Sequence, residues 1–253
     1  MNSKKHLPRN INLTIVIPAY REEKRIGKTL DKLAVYLKSE KFIKDKNVEV
    51  IVVAADSIDK THEVVASRMK RFKNLSLLKP GVKLGKGRDV QYGMLRAKGD
   101  TVMFMDADLA TPLSHLSKFY EQYQKGADIV IATRNLHKHH PNYIRRMLSN
   151  GGNILFRIAS GMWVEDSQCG FKLFSKDAAK LCFTKLTILG WGFDMEILAI
   201  ARANKLKIKT VRVNDWKHVP EGTFELNVIT NFAISLVDLT KIVIRRSRKD
   251  YIS

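Results

Sequence analysis

The chain has 253 residues, and its 45 Lys and Arg residues outnumber its 25 Asp and Glu residues, so its formal net charge is +20. Hydrophobic residues make up 45% of the sequence, which excludes a wholly disordered basic protein. The 2 cysteines, Cys169 and Cys182, exclude a disulfide-built secreted scaffold and favour a reducing compartment. The excess positive charge predicts a polyanionic partner: nucleic acid, an anionic membrane surface or a phosphorylated substrate.

The first half of the sequence alternates short apolar runs with stretches that carry apolar residues at helical spacing. Because the predicted strands are nearly all apolar, on both faces, we expect a mostly parallel central sheet with helices on both faces and ligands at the carboxyl ends of the strands. The predicted strands are 13–17, 48–54, 75–78, 101–105 and 128–132, and the predicted helices are 26–37, 61–72, 88–97 and 113–125.

The second half is less regular and predicts strands at 170–174 and 209–213, with helices at 144–159, 177–183, 194–204 and 226–246. The last helix combines a broad apolar stripe with a basic end, but polar residues interrupt it too often for a membrane span. The first ten residues lack the apolar core of a signal peptide. We expect a basic segment over 1–10, one domain over 11–225, and an amphipathic, basic helix and tail over 226–253 that associates with a membrane.

An acidic motif, Asp106-Ala107-Asp108, follows the predicted strand 101–105. Two carboxylates at a strand end suit a hard divalent cation such as Mg²⁺ or Mn²⁺, which proteins hold with one or two carboxylates together with substrate phosphates. Such a cation would neutralise the charge that develops on a departing nucleoside diphosphate. The alternative is an acidic turn exposed to solvent.

A basic turn, Gly85-Lys86-Gly87-Arg88, precedes the predicted helix 88–97. Backbone N–H groups and the helix dipole favour phosphate at such a position. The spacing is not that of a nucleotide-binding P-loop, so an ATPase is disfavoured. The alternative is a tight structural turn.

Several motifs occur together in one order along the chain. They are Ile17-Pro18-Ala19-Tyr20-Arg21-Glu22-Glu23, Asp56-Ser57-Ile58-Asp59-Lys60-Thr61, Gly85-Lys86-Gly87, Asp106-Ala107-Asp108-Leu109-Ala110-Thr111, Asp166-Ser167-Gln168-Cys169-Gly170-Phe171-Lys172-Leu173-Phe174 and Gly190-Trp191-Gly192-Phe193-Asp194-Met195-Glu196. This set resembles the inverting family 2 glycosyltransferases of the GT-A (Rossmann-like) fold. It is most similar to polyprenyl-phosphate sugar transferases of the dolichyl-phosphate β-glucosyltransferase branch, over about residues 12–225.

The resemblance implies inverting transfer of a sugar, glucose in this branch, from a UDP-sugar to a polyprenyl phosphate. It implies that the donor nucleotide-sugar contacts Pro18, Ala19, Tyr20, Glu22, Asp56, Lys86, Asp106, Ala107, Asp108 and Trp191. Asp106 and Asp108 would hold the metal, Mg²⁺ or Mn²⁺. The acceptor phosphate would contact Arg134, Arg145 and Ser149, since arginine binds phosphate in a bidentate manner.

Two carboxylates are the candidate catalytic residues, with Asp166 as the base and Asp194 aligning the acceptor or the sugar. A phosphate acceptor is already largely ionised at neutral pH, so it needs a strong base less than a sugar hydroxyl does. Trp191 would stack on the sugar, and a buried core position is the alternative. The sequence also departs from the family pattern after the second strand, where Ala54-Ala55-Asp56-Ser57 stands in place of Asp-Asp-Gly-Ser. The first carboxylate of that pattern, which in the family contacts the uracil, is therefore missing or displaced to Asp56.

In the family that this sequence resembles, eukaryotic dolichyl relatives usually carry an N-terminal membrane anchor and some bacterial ones carry C-terminal spans. We expect neither here, and therefore a peripheral enzyme in the cytoplasm, on the cytosolic face of a membrane. Its basic tail would bind the anionic membrane surface. One alternative is a soluble family 2 transferase acting on a saccharide hydroxyl. The other is a basic nucleic-acid-binding protein, which would leave the acidic motif unexplained.

Overall fold

The computed structural model describes residues 11–43, 46–134, 166–217 and 228–252, and of residues 228–232 it describes the backbone alone. Seven strands form one sheet in the order β3-β2-β1-β4-β6-β5-β7. The strands are β1 (Leu13–Pro18), β2 (Val48–Val53), β3 (Leu75–Leu78), β4 (Thr101–Met105), β5 (Ile129–Arg134), β6 (Phe171–Ser175) and β7 (Ile208–Val213). All but β6 run in the same direction, which confirms the predicted mostly parallel sheet.

Helices cover both faces of the sheet, as predicted. They are α1 (Ile26–Ser39), α2 (Thr61–Ala66), α3 (Lys86–Met94), α4 (Leu116–Gln124), α5 (Lys176–Lys185), α6 (Phe193–Ala203) and α7 (Val228–Ser247). Alternate residues of β1 point to opposite faces: Val16 belongs to the core under α3, α5 and α6, whereas Ile15 and Ile17 belong to the core under α1 and α4. All three side chains are fully buried, which explains why the strand carries apolar residues on both faces.

Two predicted helices are shorter in the structure. The helix predicted over 61–72 ends at Ala66 and is followed by a single 3-10 turn, Met69–Arg71. Val65 is buried, but no residue of that turn is, so the turn lacks the burial that stabilises a helix against the sheet. The helix predicted over 113–125 likewise opens with a 3-10 turn, Leu113–His115. The helix predicted over 144–159 lies outside the described residues.

The last helix, α7, packs on the domain through a narrow stripe. Leu239 and Ile242 are buried in the core under α6, whereas Val237 and Ile244 are about half exposed. Among the described residues, no helix has the length and apolar character needed to cross a membrane.

The sheet brings the predicted motifs to one edge. Strands β1, β2, β4 and β5 all end there, and the antiparallel β6 begins there. The segment that precedes β6, residues 166–170, therefore meets the residues that follow the parallel strands. This edge is where ligands bind in open α/β sheets.

Candidate active site

The acidic motif lies at the centre of this edge, directly after β4. The Asp106 backbone N–H donates to the Gly170 carbonyl over 2.9 Å, which joins the end of β4 to the start of β6. A Cβ atom at Gly170 would overlap the Asp106 carboxylate, so any other residue here would displace that carboxylate. The two chain segments that carry the predicted donor and catalytic residues are thus in direct contact.

Lys86 lies beside Asp106, with its Nζ atom 2.5 Å from Asp106 Oδ1. It is the first residue of α3, and Gly85 before it has a φ of 141°, a backbone conformation that glycine adopts without strain. Burial alone would lower the pKa of Lys86, but the carboxylates of Asp106, Asp194 and Asp108 raise it above its usual value. A protonated ammonium is therefore held at the helix N-terminus, next to the acidic motif.

Asp108 lies close enough to Asp106 and Glu22 for the three carboxylates to repel one another. Its Oδ1 atom accepts a hydrogen bond of 2.9 Å from the Ala110 N–H. Burial and repulsion from Asp106 raise the pKa of Asp108. Burial also raises the pKa of Glu22, despite its ion pair with Arg25, and Asp108 and Asp106 add to that rise. Carboxylates that repel one another at the carboxyl end of a parallel strand suit a divalent cation, so Asp106 and Asp108 fit the predicted metal.

The predicted nucleotide-binding residues line the neighbouring ends of β1 and β2. Ala19 is buried, and its N–H donates to the Val53 carbonyl over 2.8 Å. Tyr20 lies partly exposed, with Lys83 Nζ 5.0 Å from its ring centroid. Asp56 is exposed, so its carboxylate is accessible beside the departure at Ala54-Ala55.

Asp59 holds the loops after β1 and β2 together, a role that sequence reasoning did not assign. It accepts the N–H of Glu23 over 3.1 Å and the Thr61 hydroxyl over 2.8 Å. Thr61 Oγ1 in turn accepts the N–H of Glu22 over 2.9 Å. The polar residues of Asp56-Ser57-Ile58-Asp59-Lys60-Thr61 do not by themselves reveal that this segment bonds to the loop after β1.

Arg134 and Asp166 form a bidentate ion pair, with Nε–Oδ2 and Nη2–Oδ1 distances of 2.5 and 2.9 Å. Asp166 also accepts the backbone N–H of Arg134 over 3.2 Å. Burial opposes the charge on Arg134, but the hydrogen bonds and attraction from Asp166 raise its pKa above the usual range. The structure thus unites a predicted acceptor-binding residue with the predicted base. The other two acceptor-binding residues, Arg145 and Ser149, lie outside the described residues.

Asp194 forms a buried ion pair with Lys172, and the Lys172 ammonium also donates to the Cys169 carbonyl over 2.7 Å. Asp194 is 2% exposed, and burial raises its pKa although Lys172 and Lys86 oppose the rise. Sequence reasoning assigned no role to Lys172. A lysine in the apolar strand Phe171–Ser175 was the signal that could have found it, because a lysine is almost never fully buried without a partner.

The exposure of Trp191 and the burial of Cys169 show what two further predicted features are in the structure. Trp191 is 47% exposed, so the alternative of a buried core tryptophan is wrong, and its ring lies 5.0 Å from Lys86 Nζ. Cys169 is buried, and burial raises the pKa of its thiol to about 12, so it does not form a reactive thiolate.

Similarity to known proteins identifies the family of this chain. The model of the family described as Glycosyl transferase family 2 matches residues 14–183. A dolichyl-phosphate β-glucosyltransferase of Trichomonas vaginalis is 34% identical over 238 residues, covering 90% of this chain and 72% of that protein. The Homo sapiens dolichyl-phosphate β-glucosyltransferase is 31% identical over 227 residues, covering 83% of this chain and 68% of that protein.

Solved structures show the same fold. A mannosyltransferase of Pyrobaculum calidifontis, in complex with GDP-Man and Mn²⁺, superimposes with a TM-score of 0.59 at 19% identity, over 92% of this chain and 64% of that one. The mannosyl-3-phosphoglycerate synthase of Rubrobacter xylanophilus also has a TM-score of 0.59, at 16% identity, over 95% of this chain and 75% of that one. The predicted GT-A fold is confirmed, and the chain belongs to glycosyl transferase family 2, in which it is similar to the dolichyl-phosphate β-glucosyltransferases.

Proposed function

We propose that this protein transfers glucose, with inversion, from UDP-glucose to a polyprenyl phosphate of the dolichyl type. The observation that carries the proposal is the pairing of Lys86 with the Asp106-Ala107-Asp108 motif at the edge of a family 2 domain. The acidic motif suits a cation and the ammonium suits phosphate, and a sugar nucleotide bound as a metal complex needs both. The similarity to dolichyl-phosphate β-glucosyltransferases supports the choice of sugar and acceptor.

Asp106 and Asp108 would hold the divalent cation, Mg²⁺ or Mn²⁺, together with the donor diphosphate. When bound, the cation stabilises the charge that develops on the departing UDP. Lys86 adds a second positive charge beside Asp106 and would contact the same diphosphate. Trp191, partly exposed next to Lys86, would orient the sugar ring.

In the transfer step, a phosphate oxygen of the acceptor attacks the anomeric carbon as the bond from that carbon to the UDP oxygen breaks on the opposite face. The second pKa of a phosphate monoester is about 6, so the nucleophile is already an anion at neutral pH. In the structure, Asp166 and Asp194 are both paired with cations. These pairings support a role for both carboxylates in positioning, with Arg134 oriented by Asp166 towards the acceptor phosphate.

We also propose that the protein binds the cytosolic face of a membrane peripherally through α7. The exposed apolar residues of this helix include Leu236, Val237, Val243 and Ile244. Its last turn carries Arg245 and Arg246, with further basic residues beyond. An amphipathic helix with a basic end binds an anionic surface, and the acceptor itself resides in that bilayer.

The test is a donor-by-acceptor screen with purified protein, read by mass spectrometry. UDP-glucose, a short polyprenyl phosphate and Mn²⁺ or Mg²⁺ should yield a glucosyl lipid phosphate, and a chelator should abolish its formation. UDP-N-acetylglucosamine and GDP-mannose are the matched donors, and free saccharides are the matched acceptors. Glucosylation of saccharides without any lipid product would contradict the acceptor assignment, and full activity in chelator would contradict the metal.

A further inference from the structure

Glu196 is a buried carboxylate to which the reaction assigns no task. It lies on α6, has no solvent exposure, and its oxygens accept hydrogen bonds from four donors. The backbone N–H groups of Thr187 and Ile188 lie 2.9 and 2.6 Å away, the Thr187 hydroxyl 2.7 Å and the Tyr251 hydroxyl 3.0 Å. A buried carboxylate satisfied in this way fixes its donors in place.

Glu196 also holds the C-terminal segment, through the hydrogen bond from the Tyr251 hydroxyl. Tyr251, which follows α7, is fully buried, and its carbonyl accepts a hydrogen bond of 2.7 Å from Asn204 Nδ2. Arg245 Nε on α7 lies 3.8 Å from Glu196 Oε1. The end of the chain is thereby anchored to the loop that precedes α6.

The same loop supports the turn that carries Lys86. The Arg88 N–H donates to the Leu189 carbonyl over 3.1 Å. A Cβ atom at Gly87 would lie 2.8 Å from the Ile188 carbonyl oxygen, and one at Gly85 would overlap the Leu189 carbonyl. The backbone of Ile188 is therefore held by Glu196 on one side and forms the support of the Lys86 turn on the other.

We propose that Glu196 and Tyr251 are positioning residues for the donor diphosphate site, so that the C-terminal segment sets the location of Lys86 and Trp191. This inference rests on the proposed function, because the ligand of Lys86 is the donor diphosphate. Neither residue touches the substrate. Each acts through the backbone of residues 187–190.

The test uses Tyr251→Phe, which removes one hydrogen bond and keeps the ring, and Glu196→Gln, which keeps the shape and removes the charge. We expect the Kd and KM for UDP-glucose to rise about fivefold in Tyr251→Phe, the effect of one lost hydrogen bond, with KM for the polyprenyl phosphate unchanged. Glu196→Gln should raise both constants further, because it leaves one neutral oxygen as the only acceptor and puts an NH2 donor in place of the other.

Thr14→Val is the matched control. Thr14 is buried near the start of β1, at the end of the strand away from the donor site. Its hydroxyl donates to Glu49 over 2.7 Å. This variant should lower the melting temperature as Tyr251→Phe does, but leave the Kd for UDP-glucose at the wild-type value. Equal UDP-glucose binding in Tyr251→Phe, Glu196→Gln and wild type would overturn the inference, since a merely structural role predicts that result.

Amide hydrogen exchange separates this inference from the proposed function, because it requires no donor. Tyr251→Phe should speed exchange at the Arg88 amide and its neighbours in the Lys86 turn, whereas Thr14→Val should not. A wild-type protein that binds no UDP-glucose would refute the proposed function, and the exchange data would still decide the positioning role. Unchanged exchange around Arg88 in both Glu196→Gln and Tyr251→Phe would refute that role.

Discussion

Asp106 and Asp108 are separated by one residue, yet their surroundings give them opposite effects on stability. Asp106 neutralises Lys86, whereas burial and repulsion raise the pKa of Asp108. A carboxyl group whose pKa is raised by folding stabilises the fold while protonated and loses that contribution as the pH rises through the folded pKa. At neutral pH the charge on Asp108 therefore costs stability, and bound metal would offset that cost.

Asp108→Asn should therefore raise the melting temperature of the metal-free protein at neutral pH by about 1–4 °C, while lowering transferase activity about 10²-fold or more. The gain should vanish in acid, as the pH falls below the pKa of Asp108, because both side chains are then neutral. Differential scanning calorimetry across pH measures the first effect. Asp106→Asn is the control and should lower the melting temperature, because it leaves Lys86 without its carboxylate. A loss of stability in Asp108→Asn at neutral pH would contradict this account.

The sequence predicted the positions of some site residues, but not all the contacts between them. The acidic motif and Lys86 were predicted from local patterns, a strand end and a glycine-flanked helix start, and the structure brings them together. The pairing of Arg134 with Asp166 was not predicted, because these residues are far apart in the chain and meet only through strand order. Each was assigned a separate role from its own motif. The roles of the donor, acceptor and catalytic residues remain predictions.

At the scale of elements, the turn before α3 shows how backbone conformation and packing combine. Gly85 and Gly81 both have positive φ angles, but only Gly85 faces another backbone segment. Gly81→Ala should cost about 1–2 kcal/mol of unfolding free energy from conformational strain alone. Gly85→Ala should cost about 2–5 kcal/mol, because its Cβ must also displace the Leu189 carbonyl.

Urea denaturation measures both costs, and binding of UDP-glucose gives a second readout. Gly81→Ala should bind the donor as wild type does. Gly85→Ala should bind it more weakly, since the displaced segment supports Lys86 and carries Trp191. Equal destabilisation by the two substitutions would show that the close approach of Gly85 to the Leu189 carbonyl does not affect the free energy of unfolding.

Element positions were largely predictable because the strands are buried on both faces and their apolar runs are uninterrupted. The direction of β6 was not, since nothing in the sequence of Phe171–Ser175 distinguishes an antiparallel strand from a parallel one. Its direction follows from hydrogen bonding to both β4 and β5. The early end of α2 also escaped prediction, because helical spacing does not reveal which apolar residues find a partner.

For the whole molecule, the net charge of +20 should govern membrane association. We expect the protein to pellet with phosphatidylserine-containing vesicles but not with pure phosphatidylcholine vesicles, and binding should fall as salt is raised. The double variant Val237→Glu/Ile244→Glu should abolish pelleting. Val237 and Ile244 lie on one exposed face of α7, and the two glutamates would place negative charge on the surface that meets the membrane. Val35→Glu/Ile58→Glu, at two exposed apolar residues outside α7, is the control with the same change of charge. Equal pelleting of the double variant, the control and wild type would refute α7 as the docking surface.

The place of β6 in the sheet has a consequence for biosynthesis. Strands β4 and β5 leave the ribosome before β6, yet each pairs with β6 and not with the other. Until β6 and β7 are made, β4 has one unpaired edge and β5 has two, and such edges are sites for aggregation. The sheet therefore closes late in synthesis, and closure also delivers the residues 166–170 to Asp106. A nascent chain that stops short of β6 would lack the site together with the middle of its sheet.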